Sequence, residues 1–118
     1  MKNLLWVALG GGSGAVCRYL LGLAVMRFGA GNATFPWGTW IVNMLGCFLI
    51  GLAFNLKGEL RLLLVVGFLG GFTTYSSFSL DTLQLLKSHP GLAILNIGSQ
   101  VILGLLAVWA GMTLRGEA

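Results

Sequence analysis

The chain has 118 residues, of which 57% are hydrophobic and only 8% are charged, whereas about a quarter of the residues in an average soluble domain are charged. This composition excludes an ordinary soluble domain and indicates one small membrane protein. The formal net charge is +4, but the basic residues are scattered singly. They lack the cluster or stripe of a nucleic-acid-binding surface, so no nucleic-acid partner is expected.

Four apolar runs follow one another along the chain, joined by short connections. Each reaches about 20 residues, the length of helix that crosses a hydrocarbon core of about 30 Å. They predict an all-α membrane protein, with a single four-helix transmembrane domain over residues 1–118. Its expected location is the lipid bilayer of the cell (inner or plasma) membrane, which it crosses several times. The predicted helices cover about residues 4–28, 36–56, 60–86 and 92–114.

The first run contains a glycine-rich segment, residues 10–15, followed by Arg18. The segment has neither the preceding strand nor the following Lys-Ser/Thr of a phosphate-binding loop. Small residues let membrane helices approach closely, so the segment is interpreted as a packing surface. Arg18 lies inside the apolar run, and two interpretations stay open: a side chain that snorkels to the interface, or a fixed positive charge in an anion vestibule.

The second run places Thr39 and Asn43 four residues apart, on one face of the predicted helix. The amide of Asn43 has two donors and two acceptor lone pairs, which its own backbone cannot satisfy. In lipid this side chain must meet another polar group. Asn43 is therefore interpreted either as an interhelical hydrogen-bonding residue or as a pore-lining one.

The third run contains residues 70–79, which read Gly-Gly-Phe-Thr-Thr-Tyr-Ser-Ser-Phe-Ser. Adjacent glycines followed by alternating hydroxyls and aromatics are poor material for a lipid-facing helix. Backbone groups freed at bilayer depth must be buried in protein or line a polar cavity. The segment therefore indicates a broken helix or a hydroxyl-rich helix face.

The fourth run carries a polar stripe, because Asn96, Ser99 and Gln100 follow the i, i+3, i+4 spacing of one helix face. Together with Thr39, Asn43 and the hydroxyls of residues 73–79, this stripe makes a set of neutral hydrogen-bond donors. Such donors, helped by the positive edges of aromatic rings, can replace the hydration of a small anion without trapping it.

The titratable residues argue against an enzyme. No nucleophile has a base to assign to it, and no paired carboxylates lie at membrane depth. The first run contains no acid, which weighs against the ionisable relay of a proton-coupled exporter. No spacing of side-chain metal ligands is present.

The charges that flank the predicted helices specify orientation weakly, since one side carries four basic residues and the other two. Two oppositely oriented copies would supply the inverted repeat that the chain lacks. Four helices also enclose little of a pore, so a two-fold dimer is expected. The basic residues are Lys2, Lys57, Arg61 and Arg115 on one side and Arg27 and Lys87 on the other.

Three segments together resemble the Fluc (CrcB) family of fluoride channels, which export fluoride from microbes. They are residues 11–18, where an arginine closes a glycine-rich segment, the pattern Gly38-Thr39-x-x-Val42-Asn43, and residues 70–79. The similarity extends over essentially the whole chain. It implies a passive fluoride-selective channel, in which the membrane potential drives the anion outward at about 2.3 kcal/mol per 100 mV without a coupling acid.

The resemblance also implies the assembly and its cofactor. Two inverted copies would form a dual-topology antiparallel homodimer with two antiparallel pores. The third helix would break mid-membrane, over residues 70–73. Backbone carbonyls of Gly70 and Thr73 from both subunits would hold a structural Na⁺ at the dimer centre, because freed carbonyls are suitable ligands for a hard cation.

A fluoride pathway is implied in the same way. Asn43 matches the family's pore asparagine, and Tyr75 and Phe78 match two aromatic positions whose ring edges face fluoride. The remaining matches are the hydroxyl track of Ser76 and Ser77, the vestibule arginine Arg18, the position of Thr39, and Asn96 and Gln100 on the fourth helix.

The chain departs from the family pattern at several of these positions. Tyr75 stands where phenylalanine is usual, and Asp81 where glutamate is frequent. Asn96 and Gln100 align with a tyrosine and a serine. Two other functions stay open: a small proton-coupled multidrug-type exporter, and a non-transporting membrane assembly protein.

Overall fold

The structure, a computed structural model, describes residues 1–30 and 33–116. It is all-helical, and three segments are long and apolar enough to cross a membrane: Lys2–Gly29, Gly58–Ser88 and Pro90–Leu114. The chain is thus a multi-pass membrane protein. The elements are α1 (Lys2–Val25), α2 (Trp37–Ala53), α3 (residues 58–72), α4 (Tyr75–Ser88) and α5 (Pro90–Leu114).

The ends of the helices differ from the predicted ones by a few residues. Only His89 separates α4 from α5, whereas the sequence predicts a loop up to residue 91. Pro90 occupies the first position of α5, where its fixed φ suits a helix start and its missing N–H is not needed. The middle of α3, Leu62–Leu69, has wider, π-type turns.

Glycines bring α1 against α3 at backbone distance. A Cβ atom on Gly10 would lie 2.9 Å from the Gly67 Cα, and one on Gly14 would lie 2.9 Å from the Phe72 nitrogen. The packing interpretation of residues 10–15 is confirmed at these two positions, while a Cβ on Gly12 would meet nothing within 4 Å. Membrane helices lack a hydrophobic drive to associate and depend on such close contacts.

A second glycine contact joins α2 to α5, where a Cβ on Gly51 would lie 3.1 Å from the Gly111 Cα. The α4 helix packs against α5 as well. The fold is therefore two closely packed pairs, α1 with α3 and α2 with α5, and α4 joins the second pair after the chain turns out of α3.

The interruption between α3 and α4 lies at Thr73 and Thr74, whose backbones are extended with ψ of 159° and 112°. The predicted position, residues 70–73, is therefore too early: Gly70 and Gly71 stay helical. Gly71 approaches the Gly11 backbone, so its missing side chain allows close packing and does not break the helix. The chain leaves the helix only where a side chain of α2 binds the backbone of Thr74.

Gly10→Ala is expected to destabilise the protein by about 1–3 kcal/mol, because the added methyl group meets the backbone of α3 and cannot be relieved by a rotamer change. Gly12→Ala, two residues away on the same helix, is the matched control. It should be neutral or stabilising by up to about 1 kcal/mol, since alanine is the better helix former. Thermal unfolding in detergent measures both, and equal midpoints would contradict the packing assignment.

Candidate functional site

One side chain of α2, Asn43, holds the interruption between α3 and α4. Its Oδ1 accepts a hydrogen bond from the Thr74 N–H at 2.9 Å, and its Nδ2 donates to the Thr74 carbonyl at 3.1 Å. The N–H of Thr74 has no helical partner in the extended conformation, whereas its carbonyl belongs to the N-cap of α4. Asn43 therefore pairs an N–H that would otherwise be left unpaired in an apolar surrounding, and adds a second hydrogen bond to the carbonyl.

A continuous chain of hydrogen bonds leads from Asn43 into α5 and back to α4. Asn43 Nδ2 also donates to Gln100 Oε1 at 2.9 Å, and Gln100 Nε2 donates to Asn96 Oδ1 at 2.9 Å. Asn96 Nδ2 donates to Thr82 Oγ1 at 2.9 Å, and the Thr82 hydroxyl donates to the Phe78 carbonyl at 2.6 Å. We call this set of side chains the amide chain. It ties three helices to the break.

Thr74 also caps the N-terminus of α4. Its Oγ1 accepts a hydrogen bond from the Ser77 N–H at 3.2 Å, as a capping threonine does. The same hydroxyl donates to Ser77 Oγ at 3.0 Å and lies 3.4 Å from Ser76 Oγ. The two serines predicted for the fluoride pathway are thus grouped around Thr74, at the first turn of α4.

A cavity of about 430 Å³, here called the break cavity, opens beside the interruption. Among the described residues its lining contains no charged side chain. The ring centroids of Tyr75 and Phe78 are 5.8 Å apart at an angle of 44°, and Tyr75 is 80% exposed. The polar and aromatic lining residues are Asn43, Thr73, Thr74, Tyr75, Phe78 and Gln100.

A second cavity, of about 660 Å³, contains the charged side chains and is called the arginine cavity. Arg18 and Asp81 both line it, and Thr39 donates a hydrogen bond to Asp81 Oδ2 at 2.8 Å. Ser77 lines it too, and Thr74 lines both cavities. The break therefore lies between a neutral cavity and one that combines a cationic with an anionic group.

The predicted sodium ligands are suited to a cation by their hydrogen bonding. The usual helical donor to the Gly70 carbonyl is the Thr74 N–H, which binds Asn43 instead. The Leu69 carbonyl is taken by both the N–H and the hydroxyl of Thr73. Among the described residues no hydrogen bond ends on the Thr73 carbonyl. The end of α3 thus presents carbonyl oxygens without helical donors, as a helix C-terminus does.

The residues predicted for the fluoride pathway divide between the two cavities, with two exceptions. Ser76 lines neither cavity. Asn96 is fully buried, with 0% exposure, and lies behind Gln100 in the amide chain. The break cavity takes Asn43, Tyr75, Phe78 and Gln100, and the arginine cavity takes Arg18, Thr39 and Ser77.

Sequence reasoning missed the parts played by Thr74 and Thr82. Thr74 is the residue whose backbone Asn43 binds, and Thr82 ends the amide chain by donating to a carbonyl four residues earlier. A signal for Thr82 existed in the sequence, because a threonine in a helix often bonds the i−4 carbonyl and so leaves its oxygen as an acceptor. Asp81, noted from the sequence only as a departure from the family pattern, accepts a hydrogen bond from the Thr39 hydroxyl.

The family model for CrcB-like protein, Camphor Resistance (CrcB), matches residues 5–112. The chain belongs to the CrcB family. Its resemblance to that family is thereby confirmed over nearly the whole length. All the helices that surround the break lie within or almost within the matched residues.

Curated CrcB relatives agree in length and in name. The chain is 49% identical to a protein of Phocaeicola vulgatus, with 95% of this chain and 97% of the relative covered. It is 46% identical to a protein of Agrobacterium fabrum, with 97% of this chain and 96% of the relative covered. It is 41% identical to a protein of Flavobacterium psychrophilum, with 99% of each chain covered. Each of these relatives is named fluoride-specific ion channel FluC.

Asn43→Ala should expose the Thr74 amide to exchange with water, because it removes the hydrogen-bond acceptor that Asn43 gives that N–H. Leaving the N–H of Thr74 unpaired should also destabilise the protein by about 1–3 kcal/mol. Hydrogen–deuterium exchange at Thr74 measures the effect. Thr39→Val, one turn earlier on α2, loses only its bond to Asp81 and should leave Thr74 protected. A protected Thr74 in Asn43→Ala would contradict the assignment.

Proposed function

We propose that the chain is a passive fluoride-selective channel that exports fluoride across the cytoplasmic membrane. The observation that carries the proposal is the break cavity: its described lining offers two amides, hydroxyls and two aromatic rings, and no charged group. Such a lining binds a small anion weakly enough to release it, which conduction requires. The CrcB relatives are named fluoride-specific ion channels, which indicates that the anion is fluoride.

The proposed pathway passes from the arginine cavity to the break cavity. Arg18 attracts the anion by charge, and Thr39, which donates a hydrogen bond to Asp81, lines the same cavity. The hydroxyls of Ser76 and Ser77 follow at the first turn of α4. Beyond the break, the ring edges of Tyr75 and Phe78 and the amide of Gln100 surround the ion. Asn43 and Asn96 support this path through the amide chain.

The active form, in this proposal, is a dual-topology homodimer with two antiparallel pores. Two observations support it. Tyr75 is 80% exposed although it lines the cavity, and Gly70, the predicted sodium ligand beside the cavity, is exposed as well. A second, inverted copy would cover both and complete the lining, as inverted repeats do in transporters. Na⁺ at the dimer centre would then be held by the Gly70 and Thr73 carbonyls of both copies.

Fluoride efflux from liposomes under an imposed voltage tests the function. Reconstituted protein should release fluoride at a rate that rises with the voltage, and a proton gradient alone should not drive it. Proton flux that depends on a cationic drug, without fluoride flux, would instead favour the small multidrug-type exporter. Flux of neither kind would favour a non-transporting assembly protein.

Phe78→Ile distinguishes ring-edge coordination from simple filling of space, because isoleucine is apolar but has no aromatic edge. It should reduce fluoride efflux per assembled dimer several-fold. Phe54→Ile, at the C-terminal cap of α2 and outside both cavities, is the matched control and should conduct as the unaltered protein does. Unchanged flux in Phe78→Ile would contradict the proposed pathway.

Replacing sodium with a large organic cation tests the cofactor. Since a ligand that binds only the assembled state stabilises it by RT ln(1 + [L]/Kd), the dimer should melt at a lower temperature without sodium. Adding sodium back should restore the midpoint along a saturable curve. A melting temperature independent of sodium would contradict a resident ion at Gly70 and Thr73.

A further inference from the structure

The orientation of Asn43 is fixed by the backbone alone. The Thr74 N–H can only donate and the Thr74 carbonyl can only accept, and Asn43 meets both. Its Oδ1 must therefore face the N–H, and its Nδ2 the carbonyl. A flipped amide would oppose donor to donor and acceptor to acceptor, at a cost of two buried hydrogen bonds.

The fixed orientation of the Asn43 amide also determines the orientation of the Gln100 amide. The second Nδ2–H of Asn43 needs an acceptor, so Gln100 presents Oε1 to it at 2.9 Å. The Nε2 of Gln100 then faces away and donates one hydrogen to Asn96 Oδ1. Among the described residues no acceptor binds the second hydrogen of Gln100 Nε2, and Gln100 lines the break cavity.

Asn96 is placed to hold Gln100 and cannot itself reach the anion. It is 0% exposed and lines neither cavity. Its Oδ1 is the acceptor for Gln100, while its Nδ2 is anchored on Thr82, whose hydroxyl is anchored in turn on the Phe78 carbonyl. In this chain of partly buried hydrogen bonds each bond polarises the next, so the bond from Asn96 to Thr82 affects the Gln100 Nε2–H donor at the cavity.

We propose that Asn96 is a positioning residue of the anion pathway: it holds the Gln100 amide so that one Nε2–H is directed into the break cavity. The proposal rests on the proposed function, since it assigns a donor to the same pathway. Asn43 has both amide hydrogens committed to Thr74 and Gln100, so Gln100 supplies the amide hydrogen that meets the anion.

The position of Gln100 can be measured without any transport assay. The chain contains two glutamines, Gln84 and Gln100, so ¹⁵N-glutamine labelling gives two side-chain amide signals. In Asn96→Leu and Asn96→Ala the Gln100 signal should exchange faster with water, while Gln84 stays unchanged. Two variants are used because one of them can fail to assemble. Asn96→Asp keeps an acceptor oxygen for Gln100 and should retain slow exchange.

Fluoride flux gives the functional half of the test. In Asn96→Leu or Asn96→Ala the half-saturating fluoride concentration should rise about tenfold, the size expected when a hydrogen bond to an ion is misplaced. Thr113→Val is the matched control, because Thr113 is a polar residue of the same helix whose hydroxyl donates to the Trp109 carbonyl, outside both cavities and outside the amide chain. Its half-saturating concentration should not change.

The outcomes separate the two proposals. Unchanged Gln100 exchange in the Asn96 variants, or half-saturation equal to that of Thr113→Val, would overturn the positioning role. Faster Gln100 exchange in a protein that transports no fluoride would support the positioning of Gln100 and contradict the proposed function. Faster exchange together with raised half-saturation supports both.

Discussion

The hydrogen bonding of a helix backbone in lipid is the constraint on which the rest of the structure depends. The chain leaves the helical conformation at Thr73 and Thr74, within a segment long and apolar enough to cross a membrane, where freed backbone groups must be paired inside the protein. Asn43, from another helix, binds both the N–H and the carbonyl of Thr74. This arrangement requires α2 to stay within hydrogen-bonding distance of the break, and the glycine contact of Gly51 with Gly111 helps to hold α2 against α5.

Charge is distributed unevenly around the break. The break cavity has no charge among its described lining residues, while Arg18 and Asp81 both line the arginine cavity. A full positive charge at the narrow part of a pathway would bind a small anion too tightly to release it. In the proposed channel, a charge in the larger cavity would concentrate anions without trapping them.

Much of the fold follows from the sequence, because four apolar runs of membrane-spanning length leave few alternatives. The position of the break does not, because adjacent glycines signal both helix breaking and close packing, and only the approach of Gly71 to Gly11 decides between them. The hydrogen-bond partners of Asn43 could not be predicted from the sequence either, because Thr74 and Gln100 lie 31 and 57 positions away along the chain. The sequence shows that residues 96 and 100 are polar and share one helix face. It does not show that they have different roles, because only the burial of Asn96 separates it from the cavity.

A single chain leaves the aromatic side of the candidate site exposed, and this exposure is the physical reason for the proposed dimer. The hydrogen bonds that link the amide chain all lie within one copy, so the chain can form before assembly. The aromatic side of the site is different, because Tyr75 is 80% exposed and touches Phe78 on one side only. A phenol ring at bilayer depth needs a partner for its hydroxyl and a surface for its ring. If an inverted copy supplies both, the amide chain is already fixed by the fold of one chain. The rings of Tyr75 and Phe78 are then fixed only when two chains associate. Monomers would then keep the Thr74 and Gln100 hydrogen bonds and yet lack a conducting site.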